Sequence, residues 1–349
     1  MKRADVYSEL EKRIGNTRVE TIKEGTNQIH IKYESENPFG SHYDRVYLEL
    51  FKHFENREDK LRIQPGDTVL ETSSGSAGIS FGGVGKALGY DTVAVIPEQL
   101  DETRKQAVAK HVDAVELAQG DYVNAFENWL MKNKRRWVGK EREMTFLNHS
   151  MGPRDKNNLP TENYVTTQAL KQIATEALQQ IDSIDYFIPA IGNGSSIVGP
   201  ARVFKKHSPK TQIIGYETFQ SATGLELKHP GLYKTLFGIE PGTLKQHNMP
   251  GTSYKGIDFP HLRIAAQEQL DDIVLVTDEN MIHEYQQRTT NPAALQRVND
   301  LVRWDTEQYG SLGRSSQAAL AVAKNLAKNT ENKDFFIIAY DAKEGRYDS

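Results

Sequence analysis

The chain has 349 residues, with 43 Lys plus Arg against 47 Asp plus Glu, for a net charge of −4. That length suits about two domains, and the charge balance lacks the basic excess of a nucleic-acid binder. The absence of cysteine excludes disulfides, thiolate metal sites and cysteine nucleophiles.

No apolar run approaches the roughly 20 residues of a membrane helix, and the N-terminal segment lacks a signal-like apolar core. The expectation is therefore a cytoplasmic protein. The ten histidines are scattered, and His283-Glu284 is followed by no second histidine, so no zinc-protease motif and no metal site are expected.

In chain order, short apolar runs at 67–70, 92–96, 114–117, 186–191, 212–216, 272–276 and 335–340 read as strands. Helical stretches at 78–88, 102–111, 163–179, 197–206 and 315–328 lie among them. Strand and helix alternating in this way predict an α/β fold with parallel sheets. Parallel strands are buried on both faces, which accounts for continuous rather than alternating apolar runs.

Two strand–loop–helix junctions are rich in small residues, 70–79 (LETSSGSAGI) and 190–199 (AIGNGSSIVG). Small residues let backbone N–H groups converge on an anion at a helix start. Neither junction is GxGxxG, because Ile197 replaces the third glycine, and neither contains GK[ST]. Each also reads as a plain strand-to-helix turn, but two in one chain favour a small anionic ligand. The basic stretch 131–142 reads as a solvated helix end. Segments 151–162 and 240–258 read as surface loops, with a lid as the alternative.

These junctions fall within a longer ordered set of segments. Ile14-Gly15-Asn16-Thr17 resembles IGNTP, and residues 37–45 (NPFGSHYDR) resemble NPGGSVKDR. Residues 71–79 (ETSSGSAGI) resemble EPTSGNTGI, Ile96-Pro97-Glu98 with Arg104 resembles MPE…R, and residues 164–167 resemble HYxTTG. Gly192-Asn193-Gly194-Ser195-Ser196 resembles GTGGT, residues 313–316 resemble GISSG, and the segment from Asp341 resembles DSGERYLS. In this order the set resembles the fold-type II pyridoxal-phosphate enzymes, the cysteine synthase and cystathionine β-synthase group.

The resemblance implies a two-domain fold like that of the tryptophan synthase β-subunit-like enzymes, usually a homodimer, with parallel sheets flanked by helices. It places a smaller domain at 35–155 and a larger one at 1–34 plus 156–349, with a ligand cleft between them. Lyase or transferase chemistry of amino-acid metabolism would follow. It implies substrate contacts from Thr72, Ser73, Ser74, Gly75, Ala77 and Asn148, with His149 an equal candidate for the last. It implies cofactor contacts from Gly192, Asn193, Gly194, Ser195, Ser196, Ser315 and Ser76.

Three positions depart from the family pattern. Tyr43 stands where the family has its Schiff-base lysine, Ser76 replaces an asparagine at the cofactor ring, and Ser195 replaces a glycine of the phosphate loop. A phenol cannot form an imine, so pyridoxal phosphate is expected to be held noncovalently if it binds. Tyr43 reads in three ways: a space-filling residue with a hydrogen-bonded hydroxyl, a hydroxyl contact to a ligand, or an acid or base with a lowered pKa. His42 is adjacent, but chain neighbours point to different faces, so the two are not expected to pair. Lys255 and Lys245 are alternative amines. The expected function is a cysteine synthase-like protein that binds a small amino-acid or phosphate-bearing ligand with altered chemistry. The alternative is an inactive pseudoenzyme acting as a ligand sensor or partner regulator. The segment 289–310 exceeds the family's link and reads as a helical insertion, or else as a cap on the cleft or a partner surface.

Overall fold

The apolar runs form strands because the sequence buries them on both faces. In the computed structural model, residues 2–73, 75–120, 124–139, 141–157, 159–245, 249, 251–252, 259–305 and 309–342 are described. Helix Arg3–Arg13 is followed by an antiparallel hairpin, β1 (Val19–Glu24) and β2 (Asn27–Tyr33). There follow β3 (Thr68–Thr72), β4 (Asp91–Pro97), β5 (Ala114–Ala118) and β6 (Thr145–Phe146). The remainder are β7 (Tyr186–Phe187), β8 (Gln212–Thr218), β9 (Asp272–Thr277), β10 (Val302–Arg303) and β11 (Asp334–Ala339).

Among the described residues these strands make two sheets. The four-stranded sheet has the order β5-β4-β3-β6 and is parallel throughout. The seven-stranded sheet has the order β1-β2-β11-β7-β8-β9-β10, and only its β1–β2 pair is antiparallel. Central strands such as β4, β8 and β11 are buried at almost every position. This is the all-buried pattern of parallel strands.

The five expected helices are present as Ser76–Ala87, Glu102–Ala109, Tyr164–Ala177, Ser195–His207 and Arg314–Ala327. Asp101 and Asn163 start two of them by accepting the backbone N–H of Arg104 and Thr166. The run expected as a strand over 186–191 is a ladder only at Tyr186 and Phe187. Pro189 has no N–H to give, and the chain continues through single bonds, Ile188 N to Phe336 O at 2.9 Å and Ile191 N to Tyr216 O at 2.8 Å. The 289–310 segment is not purely helical: helix Pro292–Asn299 is followed by β10, which extends the sheet beside β9.

Helix Ser76–Ala87 lies close to its neighbours because it is built of small residues. A Cβ added at Gly82 would overlap the His111 carbonyl, a backbone atom that cannot step aside. We expect Gly82→Ala to cost about 1–3 kcal/mol of stability, read from the urea midpoint. An unchanged midpoint would disprove the close packing.

Candidate active-site cleft

The carboxyl ends of β3, β6, β7 and β11 run into a common cavity of about 680 Å³. Open α/β sheets place ligands at this edge, where strands hand over to loops and helix N-termini. Of the residues expected at the site, Tyr43, Thr72, Ser73, Gly75, Ser76, Ala77, Asn148, Gly192, Asn193, Ser196 and Ser315 line it. Gly194 and Ser195 do not, and Ser74 lies outside the described residues.

Tyr43 is the first residue of helix Tyr43–Glu55, and its ring lies 4.1 Å from that of His42 and 5.3 Å, edge-on, from that of His149. The expectation that His42 and Tyr43 point apart is corrected: His42 has helical backbone angles just before the helix, which keeps the two rings on one side. The contact is by ring faces only, since His42 Nδ1 is buried with no hydrogen-bond partner. Burial brings His42 down to about 4, so it is neutral at pH 7.

The Tyr43 hydroxyl makes no hydrogen bond to any described residue, although its backbone N–H donates to Ser41 Oγ at 3.3 Å. Tyr43 lines the cavity, and its hydroxyl has no hydrogen-bond partner among the described residues. Burial, and then the charges of Tyr340, Asp341 and Glu71, push its pKa well above the ordinary value. A neutral phenol can donate or accept a hydrogen bond at pH 7, but it is not a base there.

The loop after β3 is partly committed to its own architecture. Ser73 Oγ accepts from Gly75 N at 3.1 Å and Gly78 N at 2.7 Å, while Ser73 N donates to Val95 O at 3.0 Å. Ser73 thus tethers the start of helix Ser76–Ala87 instead of offering its hydroxyl to a ligand. Ser76 Oγ donates to Asp341 Oδ2 at 2.6 Å, which ties this helix to the end of β11. The helix start, with Ser76 and Ala77 at its first positions, lies on the cavity wall together with Thr72.

Asn148 and His149 both reach the cavity. The His149 ring is held by Tyr47 Oη at 3.1 Å from Nδ1, and His149 N donates to Glu71 Oε2 at 3.1 Å. Asn148 has the left-handed φ of 54°, and its Oδ1 accepts from Met151 N at 3.2 Å. This leaves the Asn148 side-chain NH₂ as the more available of the two for a ligand.

The second small-residue loop precedes helix Ser195–His207. Asn193 Oδ1 accepts from both Ser195 N at 2.9 Å and Ser195 Oγ at 2.7 Å. Ser195 is only 1% exposed, and its N–H and hydroxyl both bond back to Asn193 inside the loop. Tyr340 Oη accepts from Ala190 N at 3.1 Å, and Ser196 lines the same cavity. Tyr340 and Asp341 are site residues that sequence reasoning missed as such; the available signal was their position directly after an apolar strand. Lys245 is exposed and outside the cavity lining, and Lys255 lies outside the described residues. Among the described lining residues there is no lysine.

The family model described as pyridoxal-phosphate dependent enzyme matches residues 10–288. The chain belongs to this family. Among curated relatives it is similar to the cysteine synthase of Staphylococcus aureus, at 29% identity over 64% of this chain and 68% of that protein. It is also similar to the cystathionine β-synthase of Apis mellifera, at 25% identity over 90% of this chain and 54% of that protein. Among solved structures, a hydrogen sulfide-producing enzyme from Fusobacterium nucleatum superposes with a TM-score of 0.69 at 21% identity, covering 96% of this chain and 98% of that one. The O-acetylserine-dependent cystathionine β-synthase of Helicobacter pylori gives a TM-score of 0.68 at 20% identity over 96% of this chain and 95% of that one. The protein is cysteine synthase-like, with the fold of the fold-type II enzymes.

The family normally binds pyridoxal phosphate. The cavity offers that group a helix N-terminus with Gly192, Asn193 and Ser196 for a phosphate, and Ser315 at another helix start for a ring. It offers no lysine amine among its described residues. Among the described residues there is no cluster that could hold a metal ion, and no helix is long and apolar enough to cross a membrane.

Proposed function

We propose that this protein binds a small amino-acid or phosphate-bearing ligand in the cleft and that its chemistry departs from that of a lysine-dependent cysteine synthase. The observation that carries the reading is Tyr43, which lines the cavity with its hydroxyl bonded to no described residue and in the company of no described lysine. A hydroxyl left this way beside a cavity is satisfied by water or by a ligand.

The start of helix Ser76–Ala87 with Thr72 receives a carboxylate, and Asn148 gives a second contact from the opposite side. Gly192, Asn193 and Ser196 take a phosphate at the other helix start. When bound, pyridoxal phosphate would supply an electron sink for bonds at an amino acid's α-carbon. Tyr43, held neutral, orients the ligand through its hydroxyl and is not the group that removes a proton at pH 7. The Ser76–Asp341 hydrogen bond holds the two walls of the cleft in register.

The test is an absorption spectrum of the purified protein after adding pyridoxal phosphate and removing the excess, followed by borohydride reduction and peptide mapping. We expect no lysine in the cleft to be labelled. A labelled Lys255 or Lys245 would overturn the reading. Calorimetry on Tyr43→Phe, which removes only the hydroxyl, should show ligand affinity reduced about tenfold, the scale of one lost hydrogen bond in a cavity. Unchanged affinity would return Tyr43 to a space-filling role. Turnover of O-substituted serines by the pure protein separates an enzyme of altered chemistry from an inactive sensor.

A further inference from the structure

One side of the cavity serves none of the polar contacts above. Its apolar surface comes from Phe126, Leu130 and Met131, with Trp137 and Phe146 beside them, while Asn124 and Glu127 of the same segment also line the cavity. In helix Ala125–Lys132, Ala125 and Trp129 are four residues apart and turn into the core of the four-stranded sheet, at 0% and 7% exposure. Phe126 and Leu130 have the same spacing one position on, and so form the neighbouring stripe that borders the cavity. They are only partly buried, which distinguishes them from core residues.

The tryptophan adds no polar demand to this wall. Trp137 Nε1 donates to Leu130 O at 3.0 Å, which spends the only polar atom of the indole. The Trp137 ring meets Phe146 edge-on at 5.6 Å, and Met131, 62% exposed, stands at the rim. This wall lines the same cavity as Thr72, Gly75, Ser76 and Ala77. An apolar group reaching it would displace water at a gain proportional to the area covered.

We propose that this wall is the side-chain subsite of the cleft, and that the protein selects α-amino acids carrying an aromatic or branched apolar side chain. The proposal rests on the reading of the 72–77 loop as the carboxylate site. The carboxylate fixes the ligand at the helix start, and the side chain lies across Phe126, Leu130 and Trp137.

The test is isothermal titration of the full chain with L-alanine, L-serine, L-phenylalanine, L-tryptophan and L-phenylalaninol, the last lacking only the carboxylate. L-phenylalanine or L-tryptophan should bind at least about tenfold more tightly than L-alanine, the discrimination an apolar pocket provides. Leu130→Gln, a substitution that suits a half-exposed helix position, should abolish that preference by weakening L-phenylalanine and L-tryptophan binding. Equal affinity of the wild type for L-alanine and L-phenylalanine would overturn the subsite alone, with no need for the variant. A preference that survives Leu130→Gln would also overturn it. Equal binding of L-phenylalanine and L-phenylalaninol, or no binding of any amino acid, would overturn the carboxylate reading and this proposal together.

Discussion

Arg45→Met lowers the unfolding free energy by about 3–5 kcal/mol, the cost of leaving a buried charge without its partner. Arg45 is 5% exposed, and its guanidinium holds Glu34 through Nε at 2.7 Å and Nη2 at 2.8 Å. It also reaches Glu176 through Nη1 at 2.5 Å and Nη2 at 2.7 Å. Lys32, fully buried, closes the network on Glu176 at 2.9 Å. Methionine fills much of the volume but leaves Glu34, which is inaccessible to solvent, facing an apolar neighbour. Urea unfolding at pH 7 measures the loss, and a change below about 1 kcal/mol would show that the network contributes no more than surface pairs do.

The same network gives the protein an acid limit. Burial alone would push the Glu176 carboxyl up, but the hydrogen bonds and charge of Arg45, with help from Lys32, bring it down to about 2. Glu34 is likewise held below the ordinary range, with burial opposing and Arg45 prevailing. A carboxylate whose folded pKa is depressed adds stability that is present above the unfolded value and is lost as pH falls through the folded one. For Glu176 that window runs from about 4.5 down to about 2. In Arg45→Met the carboxyls lose what depresses them, so the slope of stability against pH in this window should flatten relative to wild type.

This network also shows what the sequence motifs encode. Gly15 of the IGNT segment has φ +91°, and a Cβ there would come within 2.9 Å of both Arg45 Nη1 and Glu176 Oε1. Its N–H donates to Asn37 Oδ1 at 2.8 Å, and Asn37 Nδ2 in turn donates to Glu34 Oε2 at 2.9 Å. Segments recognised as landmarks of an enzyme family thus do structural work beneath the cleft. Gly15, Asn37 and Arg45 answer there to burial and charge.

The parallel strands were legible because burial on both faces writes a continuous apolar run. The β1–β2 hairpin was not: β1 reads VETIKE, with charged residues in a half-exposed edge strand that carries no such run. The cavity's location followed from the two small-residue loops, but its hydrogen bonding did not. Nothing local distinguishes a serine that meets a ligand from Ser73, which tethers its own helix, or from Ser195, which bonds back to Asn193. Tyr340 was hidden for a related reason. At the end of an apolar strand it reads as core, and only the packing of β11 beside β7 brings its hydroxyl to Ala190.

Tyr43→Lys gives the cleft a covalent hold on pyridoxal phosphate. Incubation with the cofactor followed by borohydride should fix close to one equivalent in the variant, mapped to the peptide containing position 43, and none in the cleft of the wild type. The argument is one of place. Tyr43 already lines the cavity with its hydroxyl bonded to no described residue, and lysine reaches a similar distance with an amine at its tip. Two opposing effects set how much of that amine is unprotonated. Burial favours the neutral form, while Asp341 and Glu71, which already act on Tyr43 as negative charges, favour the ammonium. Labelling should therefore rise with pH, because only the neutral amine attacks an aldehyde. Failure of the variant to label at any pH would overturn the placing of the cofactor's aldehyde within reach of position 43.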